Sequence, residues 1–250
     1  MLKNFTKYIL QKTLGLGNYL FLFSIFKFFT LHLDKKERDF IYFLNMIPDK
    51  GAVLDIGANI GIMTSLICKK LKDTRVFAFE PLPYNISALL RVITFFNFKN
   101  VRVLETALGN EKGTAVMALP VINKIKMQGL AHIAGMPPVP DETSGELFTV
   151  AIIPLDEVEE LMNDKISISA IKIDVENFEY QVLLGGKNLI TRHKPLIYME
   201  LWDNDNRKNC FKLLEEIGYS ANVFENKKPV PFDKEKHLTQ NFIFICKKSF

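Results

Sequence analysis

The sequence predicts an α/β fold on a mainly parallel, doubly wound sheet, and three observations predict it. From Gly51 onward, short apolar runs alternate with longer amphipathic ones, the rhythm of strand–helix–strand crossovers. The first run, "AVLDIGANIGIMT" (Ala52 to Thr64), ends a strand on an acid and follows it with two glycines four residues apart. The last two runs, "YSANVFE" and "NFIFICKK", have no helical pattern between them, which predicts an antiparallel hairpin at the sheet edge.

Taken in order, residues 1–48 read as a basic, aromatic helical segment ahead of a domain spanning 49–250. Leu14 to Phe26, "LGLGNYLFLFSIF", carries only Asn18 and Ser24 as polar residues and follows Lys3, Lys7 and Lys12, so it imitates a signal peptide. Lys27 interrupts it, however, and no small-residue cleavage site follows. Thirteen residues at about 1.5 Å rise are also too few to span hydrocarbon. Two readings remain: helices packed over the domain core, or a helix lying on a membrane surface through residues 1–33.

Within the domain, "AVLDI" is a buried strand and "IMTSLICKKL" a helix; "RVFAFE" is the second strand, and "PYNISALLRVITFFN" a helix opened by Pro81 and Pro83. "NVRVLETAL" is a third strand, and "TAVMAL" and "LFTVAII" are two shorter ones flanking a long irregular segment. "ISAIKIDV", "EYQVLLGGKNLITR", "PLIYMEL" and "NRKNCFKLLEEIG" continue as strand, helix, strand, helix. The closing strands are joined by a turn-rich stretch with Pro229 and Pro231.

Composition narrows the function. The chain has 250 residues, 48% of them hydrophobic, enough for a substantial core. Lys3, Lys7, Lys12 and Lys27 precede the first acid, Asp34, and account for the whole net charge of +4. The rest is neutral with no dense basic stripe, which argues against a nucleic-acid partner. Three scattered cysteines, Cys68, Cys210 and Cys246, with no CxxC pair, fit a reducing, cytoplasmic location and offer no zinc signature.

In a doubly wound sheet, ligands sit beyond the C-terminal strand ends. A turn on Gly57, with Gly61 where the next helix packs, lets backbone approach a nucleoside closely. Glu80 ends the second strand 25 residues after Asp55, where an acid can accept from both ribose hydroxyls. Asp55 at the mouth would repel a pyrophosphate but suit a ligand that brings cations. S-adenosylmethionine, with its ammonium and sulfonium, is favoured over NAD.

"VLDIGANIGIMT", "AFEPLPYN", "ETALGN", "IPLDEV" and "AIKIDVENFEYQVLLGG", in that order between about Val53 and Leu201, resemble the motif series of the FkbM family of S-adenosylmethionine-dependent methyltransferases. The resemblance implies a Rossmann-like class I methyltransferase fold and methylation of hydroxyls on sugars, glycans or glycosylated metabolites. It implies cofactor contacts at Asp55, Gly57, Asn59 and Glu80, and adenine near Glu105 to Ala107; Gly61, Pro81 and Asp174 complete the set by position. The family's usual Asp-Val-Glu-Gly is Asp-Val-Glu-Asn here, with Asn177 in place of glycine.

For the chemistry, "KIDVENFE" supplies Asp174 and Glu176, which point to one side if the strand persists and could hold acceptor hydroxyls or act as base. Acids in the first turn of a helix, Glu176 and Glu179 among them, can also be stabilised by its dipole alone. Glu200, ending the following strand, has the same crevice geometry. Leu119–Leu147 is too long for a plain connection and reads as an acceptor lid, with His132 a candidate base within it. No dense Asp cluster is present, so metal-free transfer is favoured. The alternatives are N- or RNA methylation, or a non-catalytic module that kept the fold and binds a membrane or a glycan-processing partner.

Overall fold

A computed structural model describes residues 2–135, 145–162 and 166–247. In chain order the elements are α1 (Leu2–Leu14), α2 (Leu16–Thr30), α3 (Arg38–Met46), β1 (Ala52–Ile56), α4 (Ile62–Lys70), β2 (Arg75–Phe79), α5 (Pro83–Phe96), β3 (Val101–Leu104), β4 (Ala107–Leu108), β5 (Gly113–Ile122), β6 (Ile125–Lys126), β7 (His132–Ile133), β8 (Gly145–Ile153), β9 (Ile168–Ile173), α6 (Glu179–Gly185), α7 (Lys187–His193), β10 (Leu196–Glu200), α8 (Asp205–Glu216), β11 (Tyr219–Glu225), β12 (Lys228–Pro231) and β13 (Asn241–Cys246).

The main sheet has eight strands in the order β12-β11-β13-β10-β9-β1-β2-β3. The five from β10 to β3 are parallel to their neighbours. All five residues of β1 are buried, as a strand covered on both faces requires. The chain runs outward from β1 in one direction and from β9 in the other, so the topological switch falls between them, and there the crevice opens. The closing strands are antiparallel, but not as a plain hairpin: β13 lies between β10 and β11, and β12 forms the edge. Pro229 and Pro231 sit on that edge strand, where a missing N–H leaves no ladder bond unmade.

Three further expectations are corrected. The run "NVRVLETAL" is two strands: β3 stays in the main sheet, while β4 joins a second, five-stranded sheet. Thr106 Oγ marks the crossing by donating to the Ala151 carbonyl at 3.1 Å. The helix "EYQVLLGGKNLITR" is two, α6 and α7, joined at Gly186, whose φ of −117 leaves the helical region; Gly185 before it lies so close to the Gly109 backbone that a Cβ would stand 1.9 Å from its carbonyl oxygen. The described residues of segment 119–147 are not irregular. Its start continues β5, which pairs with β8 over Gly113–Pro120, and β6 and β7 fold back on β5. Pro137, Pro138 and Pro140 lie outside the described residues.

The N-terminal helices pack on the domain. Leu16–Leu33 is long and apolar enough to cross a membrane, which thirteen residues would not have been. Yet Tyr19, Leu20, Ser24 and Phe28 are buried, and Ser24 Oγ donates to the Ile60 carbonyl at 2.9 Å. On α3, Phe40 and Phe43 set their rings 5.8 and 5.2 Å from that of Tyr198 on β10. Gln11 on α1 both donates to and accepts from the backbone of Lys126, each at 3.1 Å, so α1 is tied to the second sheet.

Candidate active site

The crevice is built first from backbone. Gly57, at φ +75, ends β1 with its N–H and that of Ala58 both donating to the Phe79 carbonyl. A Cβ on Gly57 would lie 1.9 Å from the Asp174 carbonyl oxygen. The glycine is therefore demanded by the neighbouring strand end before any ligand arrives. Gly61, at φ +84, packs α4 on α5, where a Cβ would meet Leu89 at 2.5 Å. Asn59, at φ +51, is held left-handed with its side chain accepting from the Ile60 N–H at 2.9 Å.

Glu80 is buried behind this turn. Its Oε2 accepts from the Asn59 N–H at 2.8 Å; its Oε1 accepts from the Leu82 N–H at 3.0 Å and the Asn85 amide at 3.1 Å. Burial raises its pKa, against the pull of those donors. A carboxylate has about four acceptor positions, and three are filled. One remains on Oε2, room for a single direct ribose bond where the sequence suggested two.

Glu80, Gly57, Asn59 and Pro81 line a cavity of about 90 Å³, closed by Leu82, Leu108, Met117 and Phe178 and roofed by Gly129, Ala131 and Ile133. Its lining suits a nucleoside: mostly apolar walls with one buried carboxylate still able to accept. Thr106 and Ala107 lie in the wall, but the adjacent Glu105 is exposed and absent from it. The expectation at Glu105 is thus displaced onto Thr106, because the chain turns there between the two sheets.

Asp55 is not at the mouth. It is wholly buried, accepting from Thr64 Oγ at 2.6 Å and facing the Lys172 ammonium at 3.4 Å. Lys172 is its register partner on β9. It also donates to the Gly57 carbonyl at 2.8 Å and stands 3.6 Å from Asp174 Oδ2. Burial alone would lower its pKa; Asp55, Asp174 and Glu80 outweigh burial and raise it. The charge expected to greet a cationic ligand is thus spent inside, and Asp174 is the acid left at the strand end. Sequence reasoning missed Lys172, although a lysine within the apolar run "ISAIKIDV" is itself the signal that a buried acid must face it.

Beyond the first cavity lies a second, of about 560 Å³, sharing Gly57, Asn59, Gly129, Asp174 and Glu176 with it and adding Lys172, Glu200, Trp202 and Gln240. Phe23, Lys27 and Leu31 of the N-terminal segment form its far wall. Asp174 and Glu176 are the acids common to both. Glu176 and Asn177 are both left-handed, at φ +53 and +74. Asn177 thus holds the conformation of the glycine it replaces, and its side chain accepts from the Asn204 amide at 2.7 Å. Burial, then Asp174 and Glu200, push the Glu176 carboxyl up to about 8. Glu200 is pushed up to about 7 by burial and by Asp174.

Glu179 is buried behind the turn. It accepts from the Val175 and Asn177 N–H groups, both at 3.2 Å, and from Asn206 at 2.5 Å; burial pushes it up to about 7. Its part is to hold the Val175–Asn177 backbone. His132 is buried in β7 with Nδ1 2.9 Å from the Leu130 carbonyl oxygen. Its neighbours Ala131 and Ile133 line the first cavity, so strand alternation turns the imidazole away. His132 therefore belongs to the roof's interior and not to the catalytic group. Among the described residues no three His, Cys, Asp or Glu side chains sit in metal-ligating geometry.

Strand order, a largely apolar cavity at the switch point and acids at its inner end are those of a Rossmann-like class I methyltransferase using S-adenosylmethionine. Residues 55–225 match the model of the methyltransferase FkbM domain, and the chain belongs to that family. It is 27% identical over 203 residues to "Methyltransferase 1" of Beauveria bassiana (strain ARSEF 2860), covering 74% of this chain and 78% of that protein. It is 23% identical to "Methyltransferase sdnD" of Sordaria araneosa, covering 72% and 78%. The crystal structure of methyltransferase FkbM from Methylobacillus flagellatus KT superposes with a TM-score of 0.51 at 18% identity, over 79% of this chain. This chain spans 44% of that longer one, and the likeness is one of fold.

Proposed function

We propose that the acceptor is a hydroxyl of a sugar, a glycan or a glycosylated metabolite, and that the chain is an O-methyltransferase. The observation that carries this reading is Glu176, whose carboxyl, pushed up to about 8, stands in the wall shared by the two cavities. A hydroxyl must lose its proton as its oxygen bonds to carbon, and a base serves best when its pKa lies near the working pH. An amine nucleophile would need no such acid-rich wall once deprotonated. Bound S-adenosylmethionine supplies an electrophilic methyl group on sulfur. The chain's residues do the rest: Glu80 fixes the ribose end, Glu176 takes the acceptor's proton on a carboxylate oxygen, and Asp174 and Glu200 accept from neighbouring hydroxyls. Positioning of this kind is worth up to ~7–11 kcal/mol.

We further assign the protein to the cytoplasm, in peripheral contact with a membrane through residues 1–33 and without a nucleic-acid partner. Three cysteines that are free and buried support the first part, and a body with balanced charges supports the last.

The test is transfer of a radiolabelled methyl group to a panel of alkyl glycosides. An ether product that keeps its label through alkaline treatment is expected. Label released by alkali, as from a methyl ester, or found only on amines would overturn the assignment.

A further inference from the structure

One face of the molecule combines exposed aromatic side chains with more bases than acids, although Asp34 at its end pairs with Lys27 at 2.9 Å and Glu160 with Arg102 at 3.6 Å. On α2 and the turn after it, Leu22, Phe26, Phe29 and Leu33 recur at helical spacing, and Phe26, Phe29 and Leu33 are 60%, 57% and 69% exposed. The opposite side of the same helix is the buried one. Phe95 of α5, 60% exposed, extends the face: its ring meets Phe21 at 5.9 Å, and Phe96 joins it to Phe29. Arg91 lies 4.3 Å over the Phe21 ring and Lys69 5.0 Å over Phe28. Neither residues 1–33 nor residues 84–104 contain an Asp or Glu, while together they carry seven Lys or Arg.

The same helix walls the acceptor side of the crevice. Phe23, Lys27 and Leu31 line the second cavity a quarter-turn or more from the exposed stripe. The basin that continues from it has Lys35 and Lys36 on one side and Lys234 and Leu238 on the other, with Glu37, Asp39 and Asp203 also in its lining. Leu238 is fully exposed, and Leu33 stands two residues before Lys35.

We propose that this face rests on an anionic lipid surface and that the acceptor reaches Glu176 from that surface, as a hydroxylated or glycosylated amphiphile whose apolar part stays in the lipid. The inference rests on the hydroxyl-acceptor reading above and narrows its substrate class. Charge complementarity selects the occupant: aromatic rings seat at the headgroup boundary, and surrounding bases attract acidic headgroups. A second copy of this chain would bring its own basic face against this one, like charge against like.

The test uses the full chain with vesicles of phosphatidylcholine alone or with about one third phosphatidylglycerol. Co-sedimentation with the anionic vesicles is expected, weakened by salt. The double substitution Phe26→Glu, Leu33→Glu, at two exposed positions outside both cavities, should lower partitioning about tenfold or more. Its cofactor affinity by calorimetry and its melting temperature should stay those of the wild type. Label transfer reports the second half: transfer to an alkyl glycoside embedded in the anionic vesicles should fall about tenfold in the double variant, while transfer to a water-soluble glycoside stays that of the wild type.

Indifference to every vesicle, or equal binding by the variant, would overturn the docking. So would a wild-type dimer, seen in sedimentation velocity, that the substitutions dissociate. Vesicle binding with equal transfer to the embedded glycoside by wild type and variant would overturn delivery of the acceptor from the lipid. Loss of label transfer to water-soluble and lipid-borne glycosides alike would instead count against the hydroxyl-acceptor reading, since vesicle binding does not depend on it.

Discussion

Glu80 and Gly57 separate two demands that a sequence motif merges. Glu80 is a buried carboxylate with three donors in place and one acceptor position left for a ribose hydroxyl. Glu80→Ala should raise the dissociation constant for S-adenosylmethionine about 10- to 100-fold, the worth of one charge-assisted bond with some loosening of the turn. Calorimetry measures it, and an unchanged constant would take Glu80 out of the site. Gly57→Ala is expected to act on folding instead. Its Cβ would press on the Asp174 carbonyl at 1.9 Å, so a lowered melting temperature should accompany any lost binding. A variant with wild-type melting would contradict the close approach. The glycine, the acid and their order were legible in the sequence because they are local. That Asp55 faces inward was not, because its partner Lys172 lies 117 residues away and meets it only through β1–β9 register.

At the scale of elements, the loop from Asp174 to Phe178 is the least regular part of the site and the most braced. Two successive left-handed residues, Glu176 and Asn177, strain a backbone that only surrounding bonds can hold. Glu179 and Asn204 provide them. Glu176, Glu179 and Glu200 are all raised, to about 8, 7 and 7. The folded protein therefore keeps protons that the unfolded chain has already released. Their contribution to stability is complete below the ordinary carboxyl range and is lost as pH rises through about 7 to 8. The melting temperature should fall from the ordinary carboxyl range up to that window and level off beyond it. Glu179→Gln, which keeps an accepting oxygen but cannot ionise, should make the fall below pH 7 shallower; a fall as steep as the wild type's would contradict the assignment. Strand and helix periodicity announced the elements on either side of this loop. The two long strands of the second sheet were legible, but β4, β6 and β7 escaped because they have two residues each. Such strands exist only through pairing with distant partners, for which no local pattern is needed.

Over the whole molecule, the parallel sheet supplies the crevice, the second sheet roofs the cofactor side and the N-terminal helices wall the acceptor side. Methyl transfer is assigned to the place where these three meet, with Glu176 as its base. The most direct test is the pH dependence of label transfer to an accepted glycoside, in the wild type and in Glu176→Gln. Wild-type kcat/KM should rise with a midpoint near 8, as the carboxyl of the free enzyme loses its proton. Glu176→Gln should lose about 10²–10⁴ in kcat/KM together with that midpoint, while its affinity for S-adenosylmethionine stays within about threefold. A variant that transfers methyl at the wild-type rate, or with the same midpoint near 8, would contradict the account.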